Sequence, residues 1–194
     1  MNGLFVTIDA LDGVGKSTLV HGLAEHLHGI AMDTPGPDLR RVADAVLAAL
    51  GEDQMARCLF YASSVVAQGS KARALADGGA LVIMDRYWGS TVAYARARGV
   101  AVDLSSIADA VPRPDVSILL TLDEGERVRR LGARGDLTAA DDETLDDRFR
   151  EIVLEQLGSL SNLVVDVTGA GRAEAVLRVA RAVAAHVAQA KGRV

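Results

Sequence analysis

The stretch Ala10-Leu11-Asp12-Gly13-Val14-Gly15-Lys16-Ser17-Thr18 brings two glycines, a lysine and two hydroxyls close together in the chain. Its spacing fits GxxxxGK[ST], the pattern of a loop that cradles phosphate, with Ala10 where the first glycine usually stands. Gly13 and Gly15 can take backbone angles closed to other residues, so successive N–H groups can converge on an anion. A helix beginning at Lys16 adds the positive end of its dipole. Lys16 can then reach the β- and γ-phosphates of a nucleotide, and the Ser17 hydroxyl can join a Mg²⁺ shell. Alanine at position 10 suits this loop if its backbone keeps ordinary angles.

A second pair of reactive groups, Asp85-Arg86, ends the apolar run Ala80-Leu81-Val82-Ile83-Met84. Such a run reads as a parallel strand buried on both faces. An acid and a base at its carboxyl end stand where open α/β sheets bind ligands, although a structural ion pair would look the same. The third feature is arginine itself. Of 21 basic residues only Lys16, Lys71 and Lys191 are lysine. Arginine's planar fork suits bidentate phosphate recognition, which singles out Arg127, Arg129, Arg130 and Arg134, and then Arg148 and Arg150. His21, His26 and His28 fall on different faces of one helix without acidic or cysteine partners, so they read as solvent-facing.

These groups need elements to position them. Apolar runs predict strands at 4–9, 29–32, 80–84, 115–122 and 163–167. Between them, helical periodicity covers 16–28, 38–50, 53–76, 90–98, a short piece near 104–110, a helix after Asp123, then 142–160 and 172–191. The segment 135–142 is polar and weakly periodic, as a mobile loop would be. Alternation of this kind predicts an α/β fold: a five-stranded parallel sheet with helices on both faces. At 194 residues the expectation is one domain, 1–194, with a lid at about 132–143.

Composition narrows the function. A net charge of −5 argues against a nucleic-acid scaffold. Cys58 is the only cysteine, which excludes an intrachain disulfide and fits a reduced, cytoplasmic setting. No apolar run reaches about 18 residues, and the amino terminus lacks a basic region and cleavage signature, so no membrane association is expected.

Three features in register resemble the thymidylate kinase group of P-loop nucleoside monophosphate kinases. The loop 11–18 is similar to the variant with an acid and glycine ahead of GxGK. Val82 to Tyr87, followed by Ser90-Thr91 and Ala93-Tyr94, resembles the family's DRY block and the helix after it. Pro114 to Asp123, followed by Arg130 and Ala133-Arg134-Gly135, resembles its fourth strand and arginine-bearing lid. The resemblance implies transfer of the ATP γ-phosphoryl to a nucleoside monophosphate, dTMP foremost, with Mg²⁺ and as a homodimer joined through long helices. It implies that Asp12 to Thr18 and Arg130 hold ATP. Ser17 and Asp85 would hold the metal, Arg86 the acceptor phosphate, and Arg134 would act as an internal arginine finger. Asp12, Pro35, Thr91 and Tyr94 would belong to the acceptor pocket, where Tyr61 could stack on a base.

Two positions depart from the pattern. Asp33, in Met32-Asp33-Thr34-Pro35-Gly36, and Val65, in Tyr61-Ala62-Ser63-Ser64-Val65, stand where the family commonly has arginine. Valine donates no hydrogen bond, so looser base discrimination is expected. Asp33 would repel a phosphate unless Arg86, Arg40 or Arg41 offsets it. Three rival functions remain at this point. A nucleoside kinase would use an acid at the end of the first strand, where Asp9 stands, to activate a sugar hydroxyl. A nucleotide-dependent switch or partner-binding module would carry a guanine-reading NKxD stretch, and the chain has none. The third is a divergent family member without turnover.

Overall fold

The computed structural model describes residues 3–135 and 137–192. Five parallel strands form one sheet in the order β2-β3-β1-β4-β5: β1 (Leu4–Asp9), β2 (Ile30–Asp33), β3 (Leu81–Asp85), β4 (Val116–Thr121) and β5 (Leu163–Asp166). The interior strands β3, β1 and β4 are largely apolar because both of their faces are covered, and all five residues of β3 are buried. The outer strands β2 and β5 are short and partly exposed, which limits pairing with another chain's edge.

Strand β1 lies between β3 and β4, with Ile8 paired to Asp85 on one side and Asp9 to Leu119 on the other. The chain leaves β1 for α1 (Lys16–Leu27) and returns to the sheet at β2, beyond β3. Its later strands fill the opposite side, so the carboxyl end of β1 is the crevice where strand order diverges. Val6 and Ile8 face the core beneath α1 and α9 (Arg172–Lys191), alongside Leu19, Leu23 and Val179. Phe5 faces a second core with Val82, Met84 and Tyr87, roofed by Val65 and Ala72 of α3 (Gln54–Asp77).

The expected elements are present with small shifts at their ends. The remaining helices are α2 (Pro37–Leu50), α4 (Trp88–Ala97), the short α5 (Ser105–Ala108), α6 (Glu124–Gly132), α7 (Ala139–Glu143) and α8 (Asp147–Leu160). One expectation fails: 135–142 is not simply a loop, and the helix expected over 142–160 is two helices. Thr138 and Asp141 form a reciprocal capping box that starts α7, and Asp146 accepts from the Phe149 N–H to restart the chain as α8. Asp136, within the expected lid, lies outside the described residues. Among the described residues no helix is long and apolar enough to cross a membrane.

Candidate active site

Gly13 and Gly15 have φ of 88° and 93°, angles that favour glycine. Gly13 also meets α6 closely: a Cβ there would lie 2.7 Å from Leu131 Cγ. Ala10 is fully buried and is not among the residues with positive φ, which explains why the loop accepts alanine there. The loop therefore runs from the centre of the sheet into the first turn of α1, presenting backbone N–H groups at a helix start.

Lys16 lies over the end of β3, its Nζ 2.7 Å from Asp85 Oδ1, with both side chains largely buried. Burial, followed by the Arg86 guanidinium, pushes the lysine pKa down, while Asp85 and Asp12 resist that shift. Burial would raise Asp85, but Lys16, Ser17 and Arg86 outweigh it and hold the carboxyl below its usual range. An ionised carboxylate beside a serine hydroxyl is the donor set that Mg²⁺ takes together with nucleotide phosphates, so Ser17 and Asp85 fit the ion. Among the described residues no cluster of three or more His, Cys, Asp or Glu side chains competes for it.

Arg86 follows directly, in a left-handed backbone conformation (φ 62°) that is uncommon for a side chain of its size. The conformation is held from both ends. The Arg86 N–H donates to the Ile8 carbonyl, and its own carbonyl accepts from the Thr34 hydroxyl at 3.2 Å. Its guanidinium pairs with Asp12 of the phosphate loop and lies 5.5 Å from the centroid of the Tyr94 ring. Tyr94 donates its hydroxyl to the other Asp12 oxygen at 3.1 Å, and burial, partly opposed by Arg86, pushes its pKa up to about 12. Asp12, Arg86 and Tyr94 thus form one connected group in the wall of a cleft of about 210 Å³ that also takes in Tyr61 and Thr91. Pro35 is held by its carbonyl to Gln68 Nε2 at 3.4 Å, and it is the neighbouring Thr34 that lines the cleft.

The arginines divide by position. Arg134 lines the phosphate-loop cavity with Lys16 and Ser17, and its guanidinium is 3.6 Å from Asp141 of α7. Arg130 donates to the Val14 carbonyl and faces a groove between the loop and the start of α9, beside Thr18 and Gly171. Arg150 is committed to Glu124 and Asp147, away from the loop. Asp33 is neutralised by Arg40, one of the arginines expected to offset it, while Arg41 pairs with Asp38. Val65 is fully buried in the second core and does not line the cleft.

Asp9, the base required by the nucleoside-kinase alternative, is occupied otherwise. Its Oδ1 accepts from the Tyr87 and Ser90 N–H groups at 3.0 and 3.1 Å and from the Ser90 hydroxyl. It caps the start of α4 from the neighbouring strand and lies outside the cleft lined by Arg86 and Tyr94.

Two side chains at the site, Gln68 and Arg98, escaped the sequence reading, and a third, Arg127, was singled out as a phosphate ligand but serves as a tie within the fold. Arg127 is fully buried, and its five N–H donors are all used: two on Glu124, one on the Asp12 carbonyl, and two on the Thr144 hydroxyl and carbonyl. It ties α6 and the turn after α7 to the phosphate loop. Gln68 secures the loop after β2, where a Cβ on Gly36 would lie 2.3 Å from its amide nitrogen. Arg98, at the end of α4, lines the same cleft as Arg86 and Tyr94 and is paired bidentately with Glu143 of α7. Their partners are distant in sequence, and only the density of arginine in α6 drew attention to Arg127.

Residues 8–175 match the thymidylate kinase family. The chain belongs to the thymidylate kinase family. A thymidylate kinase of Xylella fastidiosa strain 9a5c is 33% identical, over 95% of this chain and 91% of its own length. A probable thymidylate kinase of Pyrobaculum calidifontis is 29% identical over 84% and 87%. The fold is also that of the solved thymidylate kinase of Candida albicans, at a TM-score of 0.74, 20% identity, and 95% and 92% coverage.

Proposed function

We propose that this chain transfers the γ-phosphoryl group of ATP to dTMP, giving ADP and dTDP. Membership of the thymidylate kinase family supports the reaction. The observation that supports the choice of a phosphate acceptor is Arg86 placed beside the phosphate loop, on Asp12, while Asp9 is spent on capping α4. A sugar hydroxyl must lose a proton to a base as it attacks. A monophosphate, with a second pKa near 6, is already an anion at neutral pH and needs none.

In this reading the loop N–H groups and Lys16 bind the β- and γ-phosphates of ATP. Arg130 and the start of α9 flank the donor nucleoside, and Arg86 orients the acceptor phosphate. An acceptor oxygen attacks the γ-phosphorus in line, a new O–P bond forms, and the bond to the β,γ-bridging oxygen breaks, leaving its electron pair on ADP. Ser17 and Asp85 would hold Mg²⁺, which would supply charge neutralisation for the phosphates. Lys16 and Arg134 meet the charge on the transferring group, and α7 covers the site against water. Tyr94 and Thr91 line the acceptor, with Tyr61 available to stack on its base.

Two copies would associate through α2 and α3. Helix α2 buries none of its residues within one chain, and Val42, Leu59 and Leu75 are exposed. The reaction would take place in the cytoplasm, where the lone Cys58 thiol stays reduced. A coupled ADP-release assay with dTMP, dUMP, dCMP, thymidine and a purine monophosphate tests the reaction. Turnover is expected with dTMP and not with thymidine, and the reverse result would overturn the proposal.

A further inference from the structure

The acceptor cleft holds a guanidinium at each end. Arg86 stands at the phosphate-loop end, on Asp12. From Thr91 to Arg98 the chain climbs roughly 10 Å along α4, at 1.5 Å per residue, a length on the scale of a nucleotide. Both guanidinium carbons are 5.5 Å from the Tyr94 ring centroid. A nucleotide whose phosphate meets Arg86 would therefore bring its base toward Arg98.

Arg98 is held firmly. Its Nε donates to both Glu143 oxygens at 3.0 and 3.2 Å, and Nη2 donates to Oε2 at 2.6 Å. The side chain is 22% exposed. Nη1 has no hydrogen-bond partner among the described residues, so its two N–H groups remain available. A guanidinium donates and never accepts, so it distinguishes a ring carbonyl from an amino group. The helix facing it across the cleft offers no charged donor, because Val65 is buried in the core and Tyr61 carries only a hydroxyl.

We infer that Arg98, oriented by Glu143 of α7, is the specificity-determining residue that reads the acceptor base, favouring keto pyrimidines over the amino pyrimidine cytosine. The inference rests on the proposed function. It revises the looser discrimination expected from Val65: the donor stands on α4 and is completed by the lid. Base reading and closure of α7 become one event, because the carboxylate that orients Arg98 belongs to the covering helix.

The test is isothermal titration of dTMP, dUMP and dCMP into the full-length protein, its Arg98→Met variant and its Glu143→Gln variant. Turnover with ATP is measured in parallel. Losing a hydrogen bond to a charged donor should weaken dTMP and dUMP about 10- to 100-fold in Arg98→Met, while dCMP changes less than about threefold. Glu143→Gln, which keeps the shape but loses the charge, should shift the dTMP:dCMP ratio the same way by a smaller factor. Equal losses for all three nucleotides would reduce Arg98 to a latch for α7 and overturn the inference, as would unchanged binding. Wild-type turnover judges the proposed reaction separately, since the binding ratios decide the role of Arg98 without it.

Discussion

The two sides of the cleft are built on different principles. The donor side is mostly backbone: glycine angles, a helix start and a strand end place N–H groups that no side-chain rotation can move. The acceptor side is mostly side chains, in which Asp12, Arg86, Tyr94, Arg98 and Glu143 hold one another from four separate segments. A backbone site is preorganised by folding itself. A side-chain site is preorganised by its own ion pairs, which must partly give way when phosphate arrives. Substitutions on the donor side should therefore act on rate, and those on the acceptor side on affinity and selectivity.

Lys16→Ala gives the largest expected loss. Removing the loop's own buried cation should lower kcat by at least about 10³-fold, with an unchanged circular dichroism spectrum. A folded variant with near-normal turnover would break the comparison at its root. Arg134→Ala should lower kcat by about 10³-fold with KM for the acceptor altered less than threefold, because it meets charge that develops in the transition state. An effect on KM instead would move Arg134 to the acceptor side.

Arg127→Met tests whether the two sides are mechanically joined. Five donors vanish and the partly exposed Glu124 keeps only Arg150, so stability should fall by about 2–4 kcal/mol. Read by thermal melting, that is a drop of roughly 5–15 °C for a chain of this size. Gly69→Ala should be milder. A Cβ there would lie 1.9 Å from the Tyr87 hydroxyl, which donates to the Pro112 carbonyl, so the tyrosine must shift at a cost of about 1–3 kcal/mol. Tyr87 follows Arg86 directly, so acceptor KM should rise while KM for ATP stays constant. The smallest effect is expected from Tyr94→Phe, which removes one hydrogen bond to Asp12 and should raise acceptor KM about three- to tenfold.

The same contrast explains what could be read in advance. The donor side was legible because its parts are contiguous: strand, glycines, lysine and helix occur within 25 residues of one another. Asp85-Arg86 was legible because an abrupt charge after five apolar residues is a local signal. Arg98 and Glu143 are 45 residues apart, and Arg127 reaches back 115 residues to Asp12, so no local pattern marks either pair. The lid looked unanchored because its anchors are polar. Asp141 and Thr144 are buried as hydrogen-bonded groups rather than as apolar ones. Asp9 misled for the opposite reason, since an acid at a strand end is a local signal whether it serves as a base or as a cap.

The position of β1 has a consequence for biosynthesis. The segment that carries the phosphate loop leaves the ribosome before both of its sheet neighbours: Leu4 waits for Leu81, and Val6 for Val116. The Phe5 N–H likewise finds its partner only in Asp115. During translation the nascent chain thus holds an apolar strand with both edges open, and the nucleotide-binding loop acquires its shape only after β3 and β4 have emerged. Non-local parallel pairing of this kind is slow and exposed to aggregation. A chain truncated before β4 should accumulate as insoluble material, and nucleotide present during synthesis should rescue only chains that have already passed Thr121.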